Sequence, residues 1–264
     1  MELIIATSLG FWLFLYLLGR DECRNYVNRR YPNNQEENYI KVWNTYTRAM
    51  STLHSIIIIS VSFYIIYLFK DNPYELLNLE FPNKHPNEII YIEYTNIFML
   101  FYLLVDCLFL ISEDTESNKI STLIHHLVGI AGMFCFINWN NMVYNSLYYS
   151  LTELTTIFLN MSWFMIKAKY NKGRFTLFLF GFNTIILWVM WLIIRLGGSI
   201  LLFNQLYVDY FKILNLSPVP IFMIVVGNTT VSLLNIYWFF KLTYKIYETL
   251  ITSLFSSTEK NKDE

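Results

Sequence analysis

Seven blocks of mainly apolar residues, at about 3–19, 52–69, 91–111, 120–137, 144–166, 175–201 and 219–240, make up most of this chain of 264 residues. A bilayer core takes roughly 17 to 25 apolar residues per helix, so each block is long enough to cross one. Leu, Ile and Phe run continuously through the blocks, whereas a transmembrane barrel needs strands of alternating hydrophobicity. Helices satisfy their own backbone inside lipid. The expected fold is therefore all-α, a multi-pass transmembrane helical bundle of about seven spans, in keeping with a composition 55% hydrophobic and only 15% charged.

The first block, Leu3 to Leu18, has no basic residues before it and no small-x-small cleavage site ahead of Arg20, Asp21 and Glu22. It reads as a retained anchor helix rather than a signal peptide. With seven spans, one side of the membrane carries 15 of the 19 basic residues: Arg20, Arg24, Arg29, Arg30, Lys41, Arg48, Lys119, Lys167, Lys169, Lys172, Arg174, Lys241, Lys245, Lys260 and Lys262. The positive-inside rule makes that side cytosolic, with the N-terminus lumenal and the C-terminus cytosolic. The tail places Lys260 and Lys262 fifth and third from the end. That spacing resembles a cytosolic dilysine retrieval signal of the endoplasmic reticulum.

A net charge of −1 gives no sign of nucleic-acid binding. Cys23, Cys107 and Cys135 form neither a disulfide framework nor a metal-ligand pattern. The sequons at Asn160 and Asn228 lie inside spans and the one at Asn215 hugs the membrane, so none is expected to carry a glycan.

Ionisable residues deep in a span are costly and normally face a partner in the bundle. The adjacent His125 and His126 in the fourth block pose that question most sharply. Asp106 sits five residues before Ile111 at the cytosolic end of the third block, and the histidines enter the fourth from the same end, so carboxylate and imidazole are expected at similar depth. Asn44, Thr47, Ser51 and His54 share one helical face with Arg48 nearby, a polar stripe that either lines a head-group pocket or lets Arg48 snorkel to phosphates while His54 bonds between helices. Glu153, Thr156, Asn160 and Trp163 form another face, with Asn160 expected to approach the histidines more closely than Glu153. Arg195 is alone among the basic residues in lying within a span, and Asn228 and Asn235 line the last one.

An Asp-bearing helix, a His-His pair on the next, and Thr152-Glu153-Leu154-Thr155-Thr156 running on to Asn160, Trp163 and Phe164 together resemble the TLC domain family. Translocation-associated membrane proteins, ceramide synthases and a neuronal-ceroid-lipofuscinosis protein share that domain. The resemblance covers about Lys41 to Glu248 and is strongest to the TLC domain-containing protein 4 group, also called transmembrane protein 56, with Trp43, Asn44, Arg48, Ser51, His54, Arg195 and Asn235 matching too. It implies a six-helix TLC-like core at 41–248, preceded by an anchor helix and cytosolic loop at 1–40 and followed by a cytosolic polar tail at 249–264. It also implies an endomembrane location and helices arranged around a cavity for acyl chains.

Two functions follow as expectations. One is membrane-lipid binding, sensing or composition control in lipid homeostasis, with membrane lipids as partners and no cofactor. The other is acyl-CoA-dependent lipid acyl transfer of ceramide-synthase type, in which His125, His126, Asp106 and Glu153 would be catalytic. Arg48, His54, Asn160, Trp163, Arg195 and Asn235 would bind lipid in either case. Ceramide synthases carry His-Asp-x-x-Asp where this chain has Thr152 to Thr156, which argues against ceramide synthesis itself. Four histidines in all are too few for the His-rich boxes of a di-iron hydroxylase, and no inverted repeat suggests a transporter.

Overall fold

The computed structural model describes residues 2–77, 81–112, 119–139, 143–168 and 173–260. Among them the regular structure is entirely helical. The long helices are α1 (Glu2–Arg30), α2 (Gln35–Leu68), α3 (Ile89–Ser112), α4 (Lys119–Trp139) and α5 (Val143–Lys167). Then α6 (Arg174–Met190) passes through a π-helical stretch, Trp191–Gly197, into α7 (Gly198–Val208). Last, α8 (Pro218–Phe222) passes through a second π-helical stretch, Met223–Gly227, into α9 (Asn228–Lys260). Lys169, Lys172 and Lys262 lie outside the described residues, while Lys260 ends α9.

Among the described residues, six helical segments are long and apolar enough to cross a membrane. The fifth expected span, α5, has the length but too many polar residues. Its position explains this: α5 packs against α2, α4, α6 and the first π stretch, so its Asn145, Ser146, Ser150, Thr152, Glu153, Thr155 and Asn160 are buried in protein instead of facing lipid. Polar side chains survive at membrane depth where other helices satisfy them.

The loop expected between the first two spans is mostly helical. α1 runs on to Arg30 and α2 starts at Gln35, well before its apolar block, because the intervening charged residues are good helix formers. Glu37 and Lys41, one turn apart, bond at 2.5 Å. α1 closes tightly on α2: a Cβ at Gly19 would stand 2.1 Å from the Tyr46 ring, whose hydroxyl donates to Leu15 O at 2.6 Å. α1 also packs along α3, so the anchor helix is part of the bundle wall.

Two apolar clusters frame the interior. One gathers Ile65, Phe69, Ile92, Phe136 and Leu147, where α2 ends and α3 and α5 begin. The other gathers Trp12, Tyr16, Trp43, Tyr102 and Phe109 towards the opposite end.

Candidate functional site

The antiparallel pair α3 and α4 brings the expected acid and base together. Nδ1 of His126 lies 3.4 Å from Oδ2 of Asp106. The second carboxylate oxygen accepts the Tyr16 hydroxyl from α1. His125 and His126 lie with ring centroids 5.8 Å apart, and the edge of His125 meets Trp238 of α9 at 5.4 Å. His54 of α2 is 1% exposed and stacks on Tyr102 at 3.8 Å, with Trp12 against it at 5.7 Å.

These rings are held by apolar contacts more than by hydrogen bonds. Among the described residues, both nitrogens of His54, Nδ1 of His125 and Nδ1 of His126 have no hydrogen-bond partner, so the 3.4 Å approach of His126 to Asp106 is a charge contact and not a hydrogen bond. His126 is within electrostatic range of both His54 and His125, so the three imidazoles form one group.

Beside them lies a second polar layer. Arg195 is 4% exposed, and each arm of its guanidinium donates to a different group: Nε to Thr155 Oγ1 at 2.6 Å, Nη1 to Asn235 Oδ1 at 3.1 Å and Nη2 to Thr152 O at 3.3 Å. Its face rests on Trp191, 4.4 Å from the ring centroid. The π stretch widens the helix here and carries both residues. Tyr148 donates to Arg195 O at 2.9 Å, and a Cβ at Gly198 would come within 2.4 Å of the Tyr148 ring, so a larger residue cannot stand there unless the ring moves. Glu153 accepts from Ser55 at 2.7 Å and is in electrostatic range of Arg195.

Asn160 on α5 bonds across to α2. Its Oδ1 accepts from Arg48 Nη1 at 3.1 Å, and its Nδ2 donates to Thr52 Oγ1 at 3.0 Å, which commits it to α2 rather than to the histidines. Trp163, one turn on, lies under both Arg48 and Lys167, at 5.2 and 5.3 Å. Arg48, Asn160 and Trp163 therefore form a separate cluster near the end of α5.

Sequence reasoning missed Tyr16, Trp12, Tyr102, Ser55 and Trp238. For Tyr16 a signal existed: Trp12, Tyr16 and Gly19 fall at i, i+4 and i+7, a face of one aromatic pair and one close-approach glycine. Among the described residues no three His, Cys, Asp or Glu side chains assemble as metal ligands. Chemically, the site offers an imidazole beside a carboxylate, two further imidazoles, a buried carboxylate and a buried guanidinium within one aromatic-walled interior.

The family model for the TLC domain matches residues 44–244. Comparison with curated proteins gives no match, and neither does comparison with solved structures. The matched region begins within α2, so α1 with its Trp12 and Tyr16 precedes it.

Proposed function

The chain belongs to the TLC domain family, and from that premise we propose that it is a multi-pass endomembrane protein acting in lipid homeostasis by binding membrane lipid at the imidazole group. One observation carries the reading. Among the described residues, both ring nitrogens of the buried His54, Nδ1 of His125 and Nδ1 of His126 have no hydrogen-bond partner, although the last lies 3.4 Å from Asp106. Buried polar atoms are normally satisfied, and those that are not call for a role. A hydroxyl, amide or ester of a lipid head group offers the missing donors and acceptors, and Trp12, Tyr102 and Trp238 supply apolar walls. Arg48 with Trp163, and Arg195 with Asn235, would hold more polar parts of the same class of ligand. The basic-residue bias supports a lumenal N-terminal side and a cytosolic C-terminal side.

The test is lipidomics of cells lacking the protein, complemented with wild type or with His125→Ala/His126→Ala at matched expression. Wild type should restore a lipid class that the variant does not. Equal restoration by both would remove the imidazoles from the function.

A second reading, acyl transfer from acyl-CoA, draws on the His126–Asp106 geometry. With Nδ1 facing the carboxylate, Nε2 is the nitrogen to take a proton from a lipid hydroxyl or amine. The oxygen or nitrogen then bonds to the thioester carbonyl carbon, the C–S bond breaks, and the thiolate of CoA leaves with the proton held on His126. Asp106 would steady the imidazolium, as Tyr16 steadies Asp106. Purified protein given acyl-CoA and lipid acceptors should release thiol under this reading, and His126→Ala should release none.

A further inference from the structure

A cavity of about 20 Å³ lies between α4, α5 and the second π stretch, room for about one water-sized group. Gly132, which lines it, stands six residues beyond His126 on α4, about 9 Å further along the helix axis at 1.5 Å per residue. This is a separate place from the imidazole group, nearer the end of the bundle where α3 and α5 begin.

Its polar lining is Asn145, Ser146, Tyr149 and Asn228. Asn228 is 1% exposed; its Oδ1 accepts the Tyr149 hydroxyl, while its Nδ2 donates to nothing. Behind Ser146 the pattern repeats. Asn96 is 0% exposed, its Oδ1 accepts from Ser146 at 2.6 Å, and its Nδ2 is likewise without a partner. Asn228 thus reaches the cavity with its donor left over, and what it lacks is an acceptor oxygen, while Asn96 stands behind Ser146 and not in the lining.

The charge of that ligand is restricted. Among the described residues no carboxylate, ammonium, guanidinium or imidazole lines the cavity, so a charged head group would be desolvated here without a counter-charge. An uncharged hydroxyl or carbonyl oxygen meets the Asn228 donor without that cost.

Beside Gly132 the α4 wall of the cavity is open: a Cβ there would meet nothing within 4 Å. The cavity takes only the oxygen-bearing end of a molecule, so the hydrocarbon stays in the bilayer between α4 and the π stretch. We propose that this crevice is a lateral binding site for a neutral lipid, whose hydroxyl or carbonyl oxygen accepts from Asn228 and whose chain leaves past Gly132.

The full chain in nanodiscs would be irradiated with a diazirine-bearing 1,2-diacylglycerol, and separately with phosphatidic acid carrying the same chains. The diacylglycerol should label the peptides covering Met133 or Met223–Gly227, and the phosphatidic acid should not. Gly132→Phe, which plugs the gap, should cut that labelling by about tenfold or more. Gly10→Phe is the control: its Cβ also meets nothing within 4 Å, but on α1. His126→Ala should leave the labelling intact, which separates this site from the imidazole reading. Labelling confined to other peptides, equal labelling by the anionic lipid, or a folded Gly132→Phe that labels like wild type would each overturn the proposal. Where the wild-type label falls, and which lipid gives it, need no variant.

Discussion

Tyr16, on the helix that precedes the TLC match, donates its hydroxyl to Asp106 on α3. The same carboxylate faces His126 on α4, so α1 is tied to the candidate site through one side chain. Tyr16→Phe leaves the part-buried Asp106 without that donor, which costs about 1 kcal/mol. The expected outcome is a lower unfolding midpoint in detergent and faster proteolysis of α1. A midpoint equal to wild type would mean that the bond contributes nothing to holding the helix.

His54 gives a sharper division between structure and function. Because neither ring nitrogen has a partner and the ring is stacked on Tyr102, His54→Phe removes no hydrogen bond and keeps the aromatic contact. Stability should change by less than about 1 kcal/mol, or rise, since an unpaired buried polar group has been removed. Lipid restoration in cells should nevertheless fail. If His54→Phe both folds and restores the lipid, the imidazole is a spacer in an aromatic stack.

Much of this was readable in advance, and the gaps have physical causes. The apolar blocks marked the long helices because length and continuity are set by the bilayer, and the Asp106–His126 approach followed from two antiparallel helices joined by a short loop. Depth alone did not give the rotation of Asn160: its amide turns towards α2 and Arg48. Tyr16 stayed hidden inside an apolar block, where a tyrosine is unremarkable until the helix it meets is known. The fifth span was recognisable by length, but only the structure shows that its polar content comes from enclosure on several sides.

Gly198 tests how closely the first π stretch is fitted. A Cβ there would come within 2.4 Å of the Tyr148 ring, and Tyr148 holds both Arg195 O and Ser199 Oγ at 2.9 Å. Gly198→Ala should lower stability by about 1–3 kcal/mol through overpacking. Gly10→Ala, where nothing stands within 4 Å, should be neutral or slightly stabilising. Unfolding midpoints of the two variants side by side give the answer; equal midpoints would mean that the Tyr148 ring moves aside freely.

Arg195 donates to α5 and α9 at once, through a planar fork that a lysine cannot reproduce. Arg195→Lys should therefore lose about 2–4 kcal/mol although the charge is kept, since Thr155, Asn235 and the Thr152 carbonyl cannot all be reached from one ammonium. Arg195→Met goes further and leaves the buried Glu153 carboxylate, bonded to Ser55, without the positive charge in its electrostatic range. Glu153→Gln alone leaves the cation without its anion. The double variant Glu153→Gln/Arg195→Met should then lose less than the sum of its parts, by about 1 kcal/mol or more, because each change removes the charge that the other strands. Equilibrium unfolding of the four proteins in mixed micelles measures that coupling. Simple additivity would show that Glu153 is held by Ser55 alone and that Arg195 is neutralised by its fork of oxygen acceptors and the Trp191 ring beneath it.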